Sequence, residues 1–167
     1  MANRRADFHK VVIGRAEELS FVEFDMADIP AKVDTGAYRS AVHAANIRLT
    51  EGGKVLNFDL LGGHPVCGTM SSPVSTPNFT QVKIANSFGH EELRYEVKLR
   101  VKLGPKLFWA TFSLADRSKK IYPILIGRKM LNNRFIVDTF QTSIDRVELK
   151  KKYGISFPAD EEQEMPE

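Results

Sequence analysis

"KVDTGAYRSAVHA", Lys32 to Ala44, sets an acid, a hydroxyl and a glycine side by side after the apolar approach "IPAKV". Asp and Gly are turn residues for physical reasons: Asp bonds its own backbone two residues on, and Gly accepts conformations that crowd a Cβ. Asp34-Thr35-Gly36 alone therefore reads as a turn where a strand ends. The same three residues can also present a carboxylate on a tight loop. Thr35 would fix that loop through its hydroxyl, and Gly36 would let a second chain or a substrate approach the backbone closely.

A second stretch decides between these readings. "YPILIGRKML" runs from Tyr122 to Leu131. An apolar strand enters Gly127-Arg128, and "RKMLNNR" then offers one to two helical turns with an Asn stop. So short a helix is not stable alone and must pack on a sheet.

Around these two stretches, short β-favouring runs alternate with turn signals. Strands are expected at 9–14, 19–24, 31–33, 40–49, 55–61, 80–85, 95–103 and 107–114. "EVKLRVKL" (96–103) and "LFWATFSL" (107–114) alternate with period two, the pattern of a strand with one buried face. Gly52-Gly53 and Gly104-Pro105 mark hairpin turns. "GGHPVCGTMSSPVSTPN" (62–78) is too rich in Gly, Ser, Thr and Pro for a strand and reads as a loop or irregular hairpin. Many short strands with one short helix predict a mainly β, closed barrel. One domain over 1–158 is expected, followed by a disordered acidic tail at 159–167.

Composition narrows the function classes. The chain has 167 residues, 43% of them hydrophobic, enough for one core. Its single cysteine, Cys67, forms no intrachain disulfide. The N-terminus has no apolar segment longer than "VVI", which argues against a signal peptide or spanning helix and for the cytoplasm. The last eight residues hold five acids and no base, so the formal charge of +3 for the whole becomes +8 for the rest. A basic body suits an acidic peptide or protein partner. Neither membrane nor nucleic acid is expected.

In combination, "VDTGA" and "ILIGRKML" resemble the two signatures of the retropepsin-like aspartic protease fold. The wider series "AKVDTGAYRSAVHA", "GHEELR", Trp109, Asp116-Arg117, "YPILIGRKML" and "FIVD" resembles the bacterial family labelled ATP-dependent zinc protease, across roughly 11–139. The resemblance implies a retropepsin-like (acid-protease) barrel. It makes Asp34 the catalytic residue, with Thr35 and Gly36 in the same loop, and gives Ala37, Gly127 and Arg128 the task of supporting it. One Asp-Thr-Gly per chain implies a homodimer, since such enzymes need two carboxylates. A stretch near 62–68 would serve as a flap. The family occurs beside ligases that add glutamates to proteins, which suggests glutamate-tailed substrates. Lys32, Arg39 and Arg94 are the candidate substrate contacts.

The family label also implies zinc and ATP, and the residues themselves support neither, so no metal or cofactor is expected. Candidate zinc ligands are His9, His43, His64, Cys67 and His90, but "HEELR" (90–94) has Arg94 where a zincin helix needs its second His. The chain has no G-x-x-x-x-G-K-[ST] and no G-x-G-x-x-G phosphate loop. Cys67 lacks a local signature for a nucleophile, and Ser40 with His43 lacks an acid partner at a recognisable spacing. Asp138-Thr139 is followed by Phe140 where the catalytic loop needs glycine, so Asp138 reads as non-catalytic. Three functional readings remain: a homodimeric aspartic peptidase, a peptide-binding module on the same barrel, and a metal-dependent hydrolase.

Overall fold

The computed structural model describes residues 9–85 and 88–155. The tail expected at 159–167 lies outside the described residues. In chain order the elements are β1 (Val11–Ile13), β2 (Ala16–Phe21), a 3-10 turn, β3 (Met26–Val33), β4 (Ser40–Thr50), a second 3-10 turn and β5 (Val55–Leu60). Then come β6 (Ser72–Thr76), β7 (Thr80–Ala85), β8 (Glu91–Leu103), β9 (Lys106–Ala115), β10 (Ile124–Ile126), α1 (Arg128–Leu131), β11 (Phe135–Val137) and α2 (Arg146–Tyr153).

Six strands close on themselves in the order β10-β3-β2-β8-β9-β4, and β4 returns to pair with β10. Closure leaves these strands no open edge. The ring is mixed. β10 runs parallel to β3 and β9 parallel to β4, while β2–β3, β2–β8, β8–β9 and β4–β10 are antiparallel. β5 and β6 extend the sheet from the far half of β4, β7 forms a hairpin with β8, and β1 pairs with β11 in a separate parallel ribbon.

The period-two patterns define the barrel wall. Val97, Leu99, Val101 and Leu103 of β8 point inward, as do Ala110, Phe112 and Leu114 of β9. Phe21 meets Phe112 edge-on with ring centroids 5.6 Å apart, joining β2 to β9 across the core. Lys98, Arg100 and Lys102 occupy the outer face of β8. Glu96 and Ser113, directly opposite each other on that same outer face, are nevertheless buried. Something therefore covers the barrel wall there, and this bears on the site.

Three expectations need correction. The segment 62–78 is not wholly irregular: after a run of turns, Ser72–Thr76 forms β6 against β5. Pro73 is tolerated because β6 is an edge strand, where a missing N–H costs no second ladder bond. β3 starts at Met26 rather than at 31, continuing through Pro30, which pairs with Glu18; β10 joins only from Ala31 onward. A second helix, α2, follows the barrel. Asp145 caps its N-terminus by accepting from the Val147 and Glu148 amides, and Gly154 ends it in the left-handed conformation. Both caps are readable in "DRVELKKKYG", but only Leu149 is buried, so no apolar stripe announces the helix. Among the described residues no helix is long and apolar enough to cross a membrane.

Candidate active site

β3 delivers Asp34 to the end of the barrel. The Asp34 amide donates to the Ile126 carbonyl at 2.9 Å, continuing the β3–β10 ladder by one residue before the chain turns. Asp34 Oδ1 then accepts from the Gly36 amide at 2.9 Å and the Ala37 amide at 3.2 Å. The turn reading and the carboxylate reading of Asp-Thr-Gly are thus one structure. The Asp side chain makes the turn, and the turn fixes the carboxylate. Oδ2 has no partner among the described residues. A Cβ on Gly36 would stand 3.2 Å from Oδ1, tight enough to push against the carboxylate. Thr35 and Gly36 are exposed at the tip of the loop.

The second motif holds this loop from beneath. The amides of Arg128 and Lys129 donate to the carbonyls of Ala37 (2.8 Å) and Tyr38 (3.0 Å). The Arg128 guanidinium donates to the Thr35 and Gly36 carbonyls at 3.0 and 2.9 Å, and packs near the Tyr38 ring. The Gly127 amide donates to the buried Ser40 hydroxyl at 3.0 Å. Gly127 has to be glycine here: a Cβ would lie 2.5 Å from the Arg39 carbonyl oxygen and 2.6 Å from its carbon. Asp34, Thr35, Gly36, Ala37, Gly127 and Arg128 are therefore brought together, although Asp34 and Arg128 are 94 positions apart.

A cleft of about 330 Å³ opens beside the loop, lined by residues 37–41 together with Ile84, Arg94, Ser113, Arg117 and Leu125. Two of the three basic candidates, Arg39 and Arg94, line it; Lys32 does not and sits in β3 opposite Ala16 and Leu125. Arg39 forms an ion pair with Glu96, and Arg94 Nη2 donates to Glu92 at 3.0 Å. Arg117, part of the resemblance through "DR" but not among the expected site residues, also lines the cleft, and its Nε donates to the Tyr122 carbonyl. The β7–β8 hairpin contributes Ile84 and Arg94 to the wall of the cleft.

The stretch 62–68, expected as a flap, is pinned to 117–120. His64 is buried and anchors it. The Val66 amide donates to His64 Nδ1 at 3.2 Å, and Nε2 lies 3.0 and 3.1 Å from the Arg117 and Lys120 carbonyls. Those acceptors place the proton on Nε2. Burial, with the neighbouring His43 adding to it, pushes the His64 pKa down to about 4. His43 has the same arrangement, accepting from the Arg117 amide at Nδ1 (2.9 Å) and facing the Gly62 carbonyl with Nε2 (2.8 Å), and the two rings stack edge-on at 5.1 Å. Both imidazoles serve as struts between 61–68 and 115–120.

The zinc and ATP of the family label find no fit in these residues. All four nitrogens of His43 and His64 are engaged with backbone groups, and burial pushes the Cys67 thiol up to about 12, away from the thiolate that binds zinc. "HEELR" enters strand β8, so no zincin helix exists there. Neither helix start is open to a phosphate: the Gly127, Arg128 and Lys129 amides go to Ser40, Ala37 and Tyr38, and Asp145 caps α2. Asp138 lies beyond β11, where Oδ1 accepts from the Phe140 amide and Oδ2 from the Gln141 side chain, so both of its oxygens are spent in a local turn.

A family model described as "Retropepsin-like aspartic endopeptidase RimB" matches residues 12–148. The chain belongs to the RimB-like family. Membership agrees with the closed barrel and with an Asp-Thr-Gly loop resting on an Ile-Gly-Arg strand and helix. Curated relatives include a probable alpha-L-glutamate ligase of Desulfotalea psychrophila, 29% identical over 160 residues, covering 93% of this chain and 34% of that protein. Another, from Shewanella halifaxensis, is 28% identical over 155 residues, covering 88% of this chain and 33% of that protein. The chain spans about a third of the length of these relatives. Among solved structures, a Legionella pneumophila protein of unknown function superposes with a TM-score of 0.62 at 24% identity, covering 79% of this chain and 95% of that one. That likeness is one of fold.

Proposed function

We propose that the chain is an aspartic peptidase that works as a homodimer, with Asp34 of two subunits meeting on a two-fold axis. The observation that carries this reading is the Asp34 loop. One carboxylate oxygen is fixed by the Gly36 and Ala37 amides, the other is without a partner among the described residues, and the tip is exposed and braced by Arg128. Held this way, the carboxylate keeps its direction without spending both oxygens on its own loop. A two-fold axis through the tips would bring two carboxyl groups together. Like charges so close do not both ionise, so the pair shares one proton. The ionised member takes a proton from a water, whose oxygen attacks the peptide carbonyl carbon. The protonated member gives its proton to the carbonyl oxygen, and the resulting tetrahedral diol collapses as a carboxyl group returns a proton to the departing amine. Thr35 would bond across the axis and Gly36 would permit the approach.

Charge and company support the substrate class. The cleft beside Asp34 is lined by three arginines, and the curated relatives, about three times as long, are named probable glutamate ligases. A peptidase acting on glutamate-rich tails fits both. Dilution tests the dimer. Specific activity on a glutamate-tailed peptide should fall as the dimer dissociates, and an excess of Asp34→Asn subunits should suppress the wild-type chain by forming dead heterodimers. Full activity from a sedimenting monomer would refute the paired site.

A further inference from the structure

The outer face of the β8–β9 hairpin carries a row of cations that the fold leaves uncompensated. Lys98, Arg100 and Lys102 are exposed and alternate with the buried Val97, Leu99, Val101 and Leu103. Two residues of a strand span about 7 Å, and the row repeats at that spacing. Register sets neutral groups beside it. On β9, Thr111 stands opposite Lys98, Trp109 opposite Arg100 and Leu107 opposite Lys102; on β2, Ser20 stands opposite Lys102. None of the three cations forms an ion pair among the described residues. Their basic neighbours nearer the Asp34 cleft behave differently: Lys83 pairs with Glu91, Arg94 with Glu92 and Arg39 with Glu96. Like charges along one strand repel, so a row without acids beside it favours a polyanion.

The second feature of the face is aromatic. Trp109 is 54% exposed, directly across the ladder from the middle cation of the row. An acidic peptide would answer the cations but brings nothing flat to the indole. A single strand of nucleic acid answers both, with phosphates at regular intervals and bases whose faces stack on aromatic rings. A duplex keeps its bases stacked on one another and offers the indole none. We propose that the outer face of β8 and β9 binds single-stranded nucleic acid, with a base stacked on Trp109 and the backbone phosphates on Lys98, Arg100 and Lys102. Whole-chain composition predicts no such partner, because a net charge of +3 averages over every face; the strand register is what gathers the row and the ring. No residue of this face lines the cleft beside Asp34, so the proposal is independent of the peptidase reading.

The protein has a single tryptophan, so its fluorescence reports on this face alone. The experiment titrates the full chain with single-stranded dodecathymidylate, with a duplex of equal length and with hexaglutamate. The single strand should quench Trp109 and bind at least several-fold more tightly than the duplex. The slope of log K against log salt concentration should be about −2 for three phosphate contacts, and Arg100→Gln should reduce it by about 0.7. With a fluorescein-labelled strand followed by anisotropy, Trp109→Ala should weaken binding about tenfold, whereas Trp109→Phe, which keeps a ring to stack on, should stay within about threefold of the wild type. Absence of binding, binding that leaves Trp109 unquenched, or wild-type affinity in Trp109→Ala overturns the proposal. Displacement of the strand by hexaglutamate at equal charge concentration also overturns it, by making the face a reader of charge alone.

Discussion

Replacing Gly127 by alanine adds one methyl group, and the structure fixes what that group meets. The new Cβ would stand 2.5 Å from the Arg39 carbonyl oxygen, 2.6 Å from the Arg39 carbonyl carbon and 2.9 Å from the Tyr38 carbonyl oxygen. Comfortable separations are about 3.5 Å, so residues 38–39 and 127 must part by about 1 Å. These are backbone atoms and cannot swing aside. The displaced segment carries the bonds from the Arg128 amide to Ala37 (2.8 Å), from the Lys129 amide to Tyr38 (3.0 Å) and from the Gly127 amide to Ser40 (3.0 Å). Overpacking of this kind costs about 1–3 kcal/mol, and stretching one or two of the bonds adds about 1 kcal/mol. A total of about 2–4 kcal/mol lowers the melting temperature by about 5–15 °C in a chain of this size. The assay is a thermal melt followed by circular dichroism, with Gly63→Ala as reference, since Gly63 has φ +73° and no atom within 4 Å of its would-be Cβ. That reference pays only left-handed strain, about 1–2 kcal/mol. Gly127→Ala should melt below it. A Gly127→Ala chain that melts with the wild type would refute the claim that the Ile-Gly-Arg segment clamps the Asp34 loop.

The remaining predictions concern the same supports. Ser40→Ala leaves the buried Gly127 amide without its acceptor and should cost about 1–3 kcal/mol in urea unfolding; an unchanged midpoint would show that the bond is dispensable. His64 has a folded pKa of about 4, below its ordinary 6.5. The unfolded chain therefore takes up the proton first as the pH falls, and stability present above about pH 6.5 drains away down to about pH 4, by about 3 kcal/mol. The slope of unfolding free energy against pH in that window should flatten in His64→Asn; an identical slope would place the acid sensitivity elsewhere.

The residues differ in how openly the sequence states their roles. Val97 to Leu103 and Phe108 to Leu114 announce a barrel wall because one face is wet and the other dry, and Gly104 separates them with a turn. The Asp34 loop and Gly127-Arg128 are readable because each needs a particular residue type for a backbone reason: an acid that makes its own turn, and a glycine that touches a carbonyl. Arg94 and Ser113 could not be placed in one cleft from sequence, since strand register brings them to it and register is set by the whole sheet. Glu96 and Ser113 break the wet–dry alternation of their strands, and only the cover above the outer face explains their burial. The pinning of 62–68 was hidden for a related reason. Composition marks that stretch as loose, whereas His64, a single side chain bonded to 117 and 120, makes it fixed. Helix α2 shows the opposite case, with caps present in the sequence but no apolar stripe between them.

The central claim is that Asp34 is one half of a catalytic pair, and the rate of peptide-bond hydrolysis by Asp34→Asn tests it most directly. The amide keeps an oxygen to accept from the Gly36 and Ala37 amides, so the loop should fold as before while losing its base. Cleavage of a glutamate-tailed peptide is predicted to fall by about 10²–10⁴-fold, with the melting temperature and dimer unchanged. Hydrolysis at the wild-type rate by that variant would contradict the account.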